Sequence, residues 1–149
     1  MIKFSLCIFT VCVLLFGCSG KQPANLGVHQ GKLSPCPNSP NCVSSQSSDE
    51  SHHIEPLQYG GTLEEARDKM LSLIRSMKRA RVVKVSDDYI HAEFSSALFR
   101  FVDDVECLFD EKTKTIHLRS ASRIGYSDLG VNRKRLERIR AGFSGEINQ

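Results

Sequence analysis

Hydrophobic positions change their spacing twice along the chain, and each change predicts an element. Leu63, Ala66, Met70, Leu73, Ile74 and Met77 recur at three- and four-residue intervals, which lays one apolar stripe along a helix from Leu63 to about Lys78. Thr62 and Glu65 stand in the capping-box relation ahead of it, and the basic cluster Lys78, Arg79, Arg81 suits the negative end of its dipole. The period then falls to two. Val82 to Val85 is rich in β-branched residues, Ser86-Asp87-Asp88 is a turn, and Ile90, Ala92 and Phe94 alternate with Tyr89, His91 and Glu93. After a turn at Ser95 to Leu98, alternation from Phe99 to Phe109 sends Phe99, Phe101, Asp103, Val105, Cys107 and Phe109 inward and Arg100, Val102, Asp104, Glu106 and Leu108 outward. Asp110 to Lys114 turns the chain, and Ile116 and Leu118 resume the inward positions, with His117 and Arg119 outward. A turn centred between Lys112 and Thr113 sets Phe109 opposite Ile116, Cys107 opposite Leu118, Glu106 opposite Arg119 and Asp103 opposite Ser122. Leu129, Leu136, Ile139 and Phe143 return to helical spacing, with Asp128 or Gly130 as N-cap and Gly142 and Gly145 at the end. Helix, strands, helix in that order predicts an α+β fold: an antiparallel sheet of about four strands with two helices packed on one face.

A chain of 149 residues allows one domain with a real core. Its opening differs from the rest. Lys3 is followed by an unbroken apolar run from Phe4 to Phe16, then Gly17 and Cys18, the layout of a secretory signal and too short to span a bilayer comfortably. Leu15-Phe16-Gly17-Cys18 resembles a bacterial lipobox, although Phe16 stands where a small residue is usual, so residues 1–17 are expected to be a lipoprotein signal peptide and Cys18 the acylated first residue of the mature protein. Two or more acyl chains anchor a protein stably, at about 0.8 kcal/mol for each buried methylene. By the same resemblance, Ser19 in place of Asp favours the periplasmic face of the outer membrane over the inner membrane. Residues 18–35, polar and with Gly and Pro, read as a flexible linker; residues 36–143 read as the domain and 144–149 as a polar tail. Formal charge is +3, or +2 once Lys3 leaves, which gives no reason to expect nucleic acid.

Cys36, Cys42 and Cys107 remain in a compartment that permits disulfides. Two prolines and two asparagines between Cys36 and Cys42 specify tight turning, so that pair is expected to close a small disulfide loop worth roughly 2 kcal/mol. A zinc site with His52 and His53 is disfavoured by the five-residue gap, and a nucleophilic Cys42 would need a histidine placed by the fold. The two histidines read as solvated loop residues, and no metal or other cofactor is expected. Cys107, on the apolar face, reads as an inert buried thiol.

Burial alone does not explain Arg119 to Arg135, RSASRIGYSDLGVNRKR. Polar positions on a loop between rigid elements are where binding concentrates. Arg119, Ser122, Arg123, Asn132 and Arg133 are the expected ligand-binding residues, with free amides at the start of the second helix completing an anion pocket. Asp103 and Asp128 are expected to hold the loop. Asp103 is an inward carboxylate that must be paired, with Ser120, Ser122 or Arg123 as the nearest partners.

Three separated motifs, CPNSPNCVSS at Cys36 to Ser45, FRFVDDVE at Phe99 to Glu106 and the Arg119 to Arg135 stretch, resemble the bacterial and plastid family known as domain of unknown function 1499. The resemblance runs from about Cys36 to Phe143 and implies a small domain, commonly exported or membrane-tethered, without implying a reaction. Cys107, where the family leads one to expect an aromatic residue, is a minor departure. Three functional readings follow. The first is a non-enzymatic binding or assembly module tethered to the cell envelope, recognising an anionic ligand or protein partner through the Arg/Ser-rich loop. The second is a hydrolase with Asp103 or Asp104 as general base; the chain offers it no nucleophile elbow or metal motif. The third is a purely structural charge network.

Overall fold

The computed structural model describes residues 20–145, so the signal-peptide reading, the Cys18 lipidation site and the last four residues lie outside the described residues. Described first are two short hairpin strands, β1 (Val28–His29) and β2 (Lys32–Leu33). Two short edge strands follow, β3 (Cys42–Ser44) and β4 (Leu57–Gln58), then helix α1 (Leu63–Ser76). A four-stranded meander, β5 (Ala80–Val85), β6 (Tyr89–Ser95), β7 (Val102–Asp110) and β8 (Thr115–Ser122), leads to helix α2 (Val131–Ser144). The main sheet runs β3-β8-β7-β6-β5, with β4 beside β3 on the free edge of β8; these strands pair antiparallel, and one isolated parallel bridge joins Ser44 to His53.

The α+β expectation therefore holds, with six strands in place of about four. Both additional strands are two or three residues long, too short for alternation to register. Both helices lie on one face, α1 over β5 and β6 and α2 over β8 and β3, and pack against each other. Between helices and sheet sits the core, where Met70, Ile74, Ile90, Val105, Ile116, Leu118, Leu136 and Ile139 are buried. The capping box is present in full: Glu65 N donates to Thr62 Oγ1 and Thr62 N to Glu65 Oε2. The β7–β8 register is the expected one, including Glu106 opposite Arg119 and Asp103 opposite Ser122. Cys107 is buried and unpaired, and burial pushes its thiol up to about 12.

Two boundaries differ from the sequence pattern. Phe99 and Phe101 precede β7 and stay exposed, because residues 96–101 form a loop closed by Ser96 N donating to Phe101 O. Leu129 lies ahead of α2 and faces water; Gly130, at φ 77°, takes the N-cap.

The larger difference concerns residues 18–35. From residue 20 onward this segment is not a free linker but a strap laid along the helix-free face of the sheet. Gly20 lies against Arg123 and Ile124 at one end, Gly27 N donates to Glu106 Oε1 midway, and Leu33 is buried with Tyr89 and Leu108 at the other end. A polar composition suggested mobility, but the outward row of the strands offers partners for the strap's backbone groups. Leu33→Ala should lower the unfolding free energy in a urea melt by about 2 kcal/mol. A residue of a mobile linker would leave it within about 0.5 kcal/mol.

Candidate functional site

Alternation along a strand sends neighbouring residues to opposite faces, and this divides the polar motif in two. On the helix-free face, β6 contributes Tyr89, His91 and Glu93, β7 contributes Asp104 and Glu106, and the β8 side contributes Arg119 and Arg123. All are buried or nearly so beneath the strap. Glu106, fully buried, accepts from Tyr89 Oη at 2.7 Å, Gly27 N at 2.8 Å and Arg119 Nη1 at 2.9 Å. Asp104 accepts from Arg123 Nε at 2.9 Å and Nη2 at 2.7 Å, with His91 Nε2 2.8 Å from its Oδ1. Arg123 Nη2 also donates to Glu93 at 2.5 Å, and Arg81 reaches the other oxygen of Glu93 at 2.6 Å.

These contacts set the protonation states. Burial opposes ionisation of Asp104, but the hydrogen bonds from Arg123 and His91 outweigh it and hold the carboxyl below its ordinary value. Glu93 is lowered in the same way, burial being overcome by Arg123 and Arg81. Hydrogen bonding to Asp104 holds the Arg123 guanidinium well above its usual range, and burial followed by the Glu106 charge raises Tyr89.

On the helix face a second polar cluster fastens α2. Asp103 accepts from Arg135 Nη2 at 2.6 Å, and that guanidinium lies 4.9 Å from the Phe94 ring centre. Asn132, fully buried, donates to Asn41 O and Ser122 Oγ and accepts from Ser120 Oγ and Arg135 Nη1. Asp128 accepts from the amides of Gly130 and Asn132 in the first turn of α2. Arg133 donates to the carbonyls of His53 and Ser51, tying α2 to the loop after β3.

The five expected ligand residues are thus not one constellation. Arg119, Ser122 and Arg123 border a concavity of about 370 Å³ walled by Pro23, Asn25, Pro35, Cys36 and Pro37 and floored by Asp104 and Ala121. Asn132 is buried on the opposite face and Arg133 sits elsewhere on α2. Asp103 pairs with Arg135 and not with Ser120, Ser122 or Arg123; Arg123 belongs to the other face of the sheet, which the strand period puts out of reach. For the same reason Asp103 and Asp104 do not form an acid–base pair, and a carboxylate held low by a bidentate guanidinium is a weak proton acceptor.

The Cys36–Cys42 disulfide is formed, with the two Cα atoms 5.6 Å apart. It divides the concavity above from a larger one of about 660 Å³, lined by His29, Lys32, Gln46, Asp49 and His52 among others; Asn25, Pro35, Cys36 and Pro37 border both. His52 is not a solvated loop residue. It is buried, with Nδ1 2.8 Å from Cys42 O, so it supports the disulfide loop from behind. Sequence reasoning passed over Tyr89, His91, Glu93, Glu106 and Arg135. The available signal was the charge on alternate outward positions of two neighbouring strands, a row that only a cover over that face turns into a buried network.

Arg119→Ala would leave Glu106 charged and buried, and should cost about 3–5 kcal/mol of unfolding free energy. Arg119→Met combined with Glu106→Gln removes the charge with its partner and should restore most of that loss in the same melt. Acid should act on the other half of the network. Asp104 and Glu93 ionise more readily folded than at their ordinary values of 3.8 and 4.5, so their stabilisation is complete above those values and vanishes as pH falls through the lower folded ones. Unfolding free energy should decline below about pH 4.5 and less steeply in Arg123→Ala; parallel acid curves for the two chains would contradict the assignment.

No curated protein matches the chain. A comparison with protein families matches residues 32–143, from the last residues of the strap through the core of α2, to the family described as Protein of unknown function (DUF1499). With well over half of its length matched, the chain belongs to that family.

Proposed function

We propose that the protein is a lipoprotein of the bacterial cell envelope, acylated at Cys18 on the periplasmic face of the outer membrane, and that it binds instead of catalysing. Its ligand is an anionic group, a carboxylate or phosphate on a small molecule or partner protein, received in the concavity over Arg119 and Arg123; the Ser122 hydroxyl is engaged by Asn132 on the other face. One observation carries this reading. Arg119 and Arg123 border one open concavity, and the buried Nε of Arg119, like those of Arg67 and Arg140 away from it, has no acceptor among the described residues; only that of Arg119 adjoins the concavity. A buried donor without a partner costs about 1–3 kcal/mol unless something outside the chain supplies the acceptor. The charge at the floor limits what fits. Two guanidinium groups face three carboxylates, one of them shared with Arg81, so the site has no net positive charge, and its ligand is held by directed hydrogen bonds and not by the field, which rules out a dense polyanion.

A second reading has its own support. The contacts of Asp103, Asp128, Asn132, Arg133 and Arg135 are those of a structural lock between α2, the sheet and the loop after β3. For these residues the purely structural network is the better account, and recognition is confined to the other face. The disulfide accords with an exported address.

Calorimetric titration of the intact protein with inorganic phosphate and with acetate tests the binding reading. Ala121→Leu narrows the concavity without touching an ion pair and should weaken uptake at least about tenfold, equivalent to about 1.4 kcal/mol, with the melt unchanged. No uptake of either anion by the unaltered chain would leave the structural network as the whole role of the motif.

A further inference from the structure

Nine large hydrophobic side chains are exposed among the described residues, and six of them, Leu98, Phe99, Phe101, Tyr126, Leu129 and Val131, lie at one end of the molecule. They belong to the β6–β7 loop, the β8–α2 loop and the first residue of α2. The sheet register brings these together: Ser95 pairs with Val102, Asp103 with Ser122, and Arg123 N donates to Val102 O at 3.1 Å. Scattered exposed hydrophobics need no explanation, whereas a cluster does. Leu129 is the most pointed case. It is 87% exposed and sits at φ 55°, a conformation that a bulky side chain rarely adopts, so neither burial nor backbone preference accounts for leucine there.

The charge around the cluster is of one sign. Lys78 and Arg79 at the end of α1, Arg100 between the two phenylalanines, and Lys134 in the first turn of α2 are all exposed. Within 77–79, 96–101 and 123–130 the only acid is Asp128, whose carboxylate is engaged by the amides of Gly130 and Asn132. Aromatic and aliphatic side chains ringed by Lys and Arg match the boundary of an anionic bilayer, where rings sit at headgroup depth and each basic residue gains about 1 kcal/mol.

The strap points to the same occupant. Gly20 rests against Arg123 and Ile124, at this end of the sheet. Only Ser19 separates it from Cys18, and two residues span at most about 7 Å. A lipid on Cys18 would therefore leave the protein beside this cluster and not at the end of a long spacer.

We propose that this end is a membrane-docking surface: it seats on the anionic phospholipid headgroups of the bilayer that holds the acylated Cys18, with Leu98, Phe99, Tyr126 and Leu129 at the interface and Lys78, Arg79, Arg100 and Lys134 against phosphate. The docking rests on the lipidation proposed above. With the acyl chains supplying attachment, the surface fixes orientation.

The chain contains no tryptophan, so single substitutions report cleanly. Phe99→Trp, Leu129→Trp and, in β5 toward the far end of the sheet, Val85→Trp are each prepared as the mature full chain and reconstituted into vesicles of phosphatidylethanolamine and phosphatidylglycerol, with or without brominated acyl chains. Docking is expected to shift emission at 99 and 129 to the blue and to let brominated lipid quench it, with Val85→Trp unaffected. Equal insensitivity of all three to brominated lipid overturns it, as does a blue shift at 99 or 129 without quenching, the mark of cover by protein. The mass of the Cys18 peptide separates this from the tether itself. Acylation without quenching sinks docking alone; an unmodified Cys18 sinks the tether, and quenching at 99 and 129 would then sustain docking by itself.

Discussion

A carboxylate with no exposure to water can exist as an ion only where donors replace its hydration, and Glu106 meets that condition with three: a phenol, a guanidinium and a backbone amide. Much of the molecule's second face follows from this. The phenol fixes Tyr89 against β7. The guanidinium fixes Arg119 in a row with Arg123, which in turn engages Asp104 and Glu93. The amide is the decisive partner, because Gly27 comes from outside the sheet and brings the strap down over the charges. Without the strap these pairs would face solvent, where each contributes little; beneath it they form a coupled unit in which removing any one charge strands another.

The helix face solves the same problem with a different cover. Asp103 and Arg135 lie under α2, and Asn132 uses both ends of its amide to join Asn41, Ser120 and Ser122. A single stretch of chain, Arg119 to Arg135, supplies both networks because a strand presents alternate residues to alternate faces. Arg119 and Arg123 serve one cover, and Ser120, Ser122 and Arg135 the other. That explains why the stretch is rich in polar residues and poor in core formers although Arg119, Ser120 and Asn132 are buried: it is the seam between two layers of polar contacts.

What could be read from the residues alone divides along the same line. Period carried the fold: the stripe from Leu63 to Met77, the capping box, and a hairpin register right to the residue. Period did not reveal what lies over the outward positions. His91, Glu93, Asp104 and Glu106 look like a solvated row on any pattern scale, and nothing in Gly20 to Leu33 announces that it will lie on them, since a strap that contributes backbone groups and one leucine leaves no periodic signature. The arginine-rich stretch was legible as unusual, but its division between faces required the register, and the choice of Arg135 over Arg123 as partner of Asp103 required the crossing of α2 over β8. Short edge strands escaped for lack of length.

The strap also joins two properties that composition kept apart. A spacer between lipid and domain would let the domain tumble, and its length would matter more than its sequence. Here the described chain is already engaged at Gly20, so with Cys18 acylated as proposed, attachment acts on a segment that shields Glu106 and walls the concavity with Pro23 and Asn25. On that proposal the tether, the buried charges and the concavity would act as one mechanical unit, since the strap that shields Glu106 also walls the concavity. A long mobile linker would separate these; the contacts of Gly20 and Gly27 with the sheet are what would keep an acylated Cys18 close to the open face.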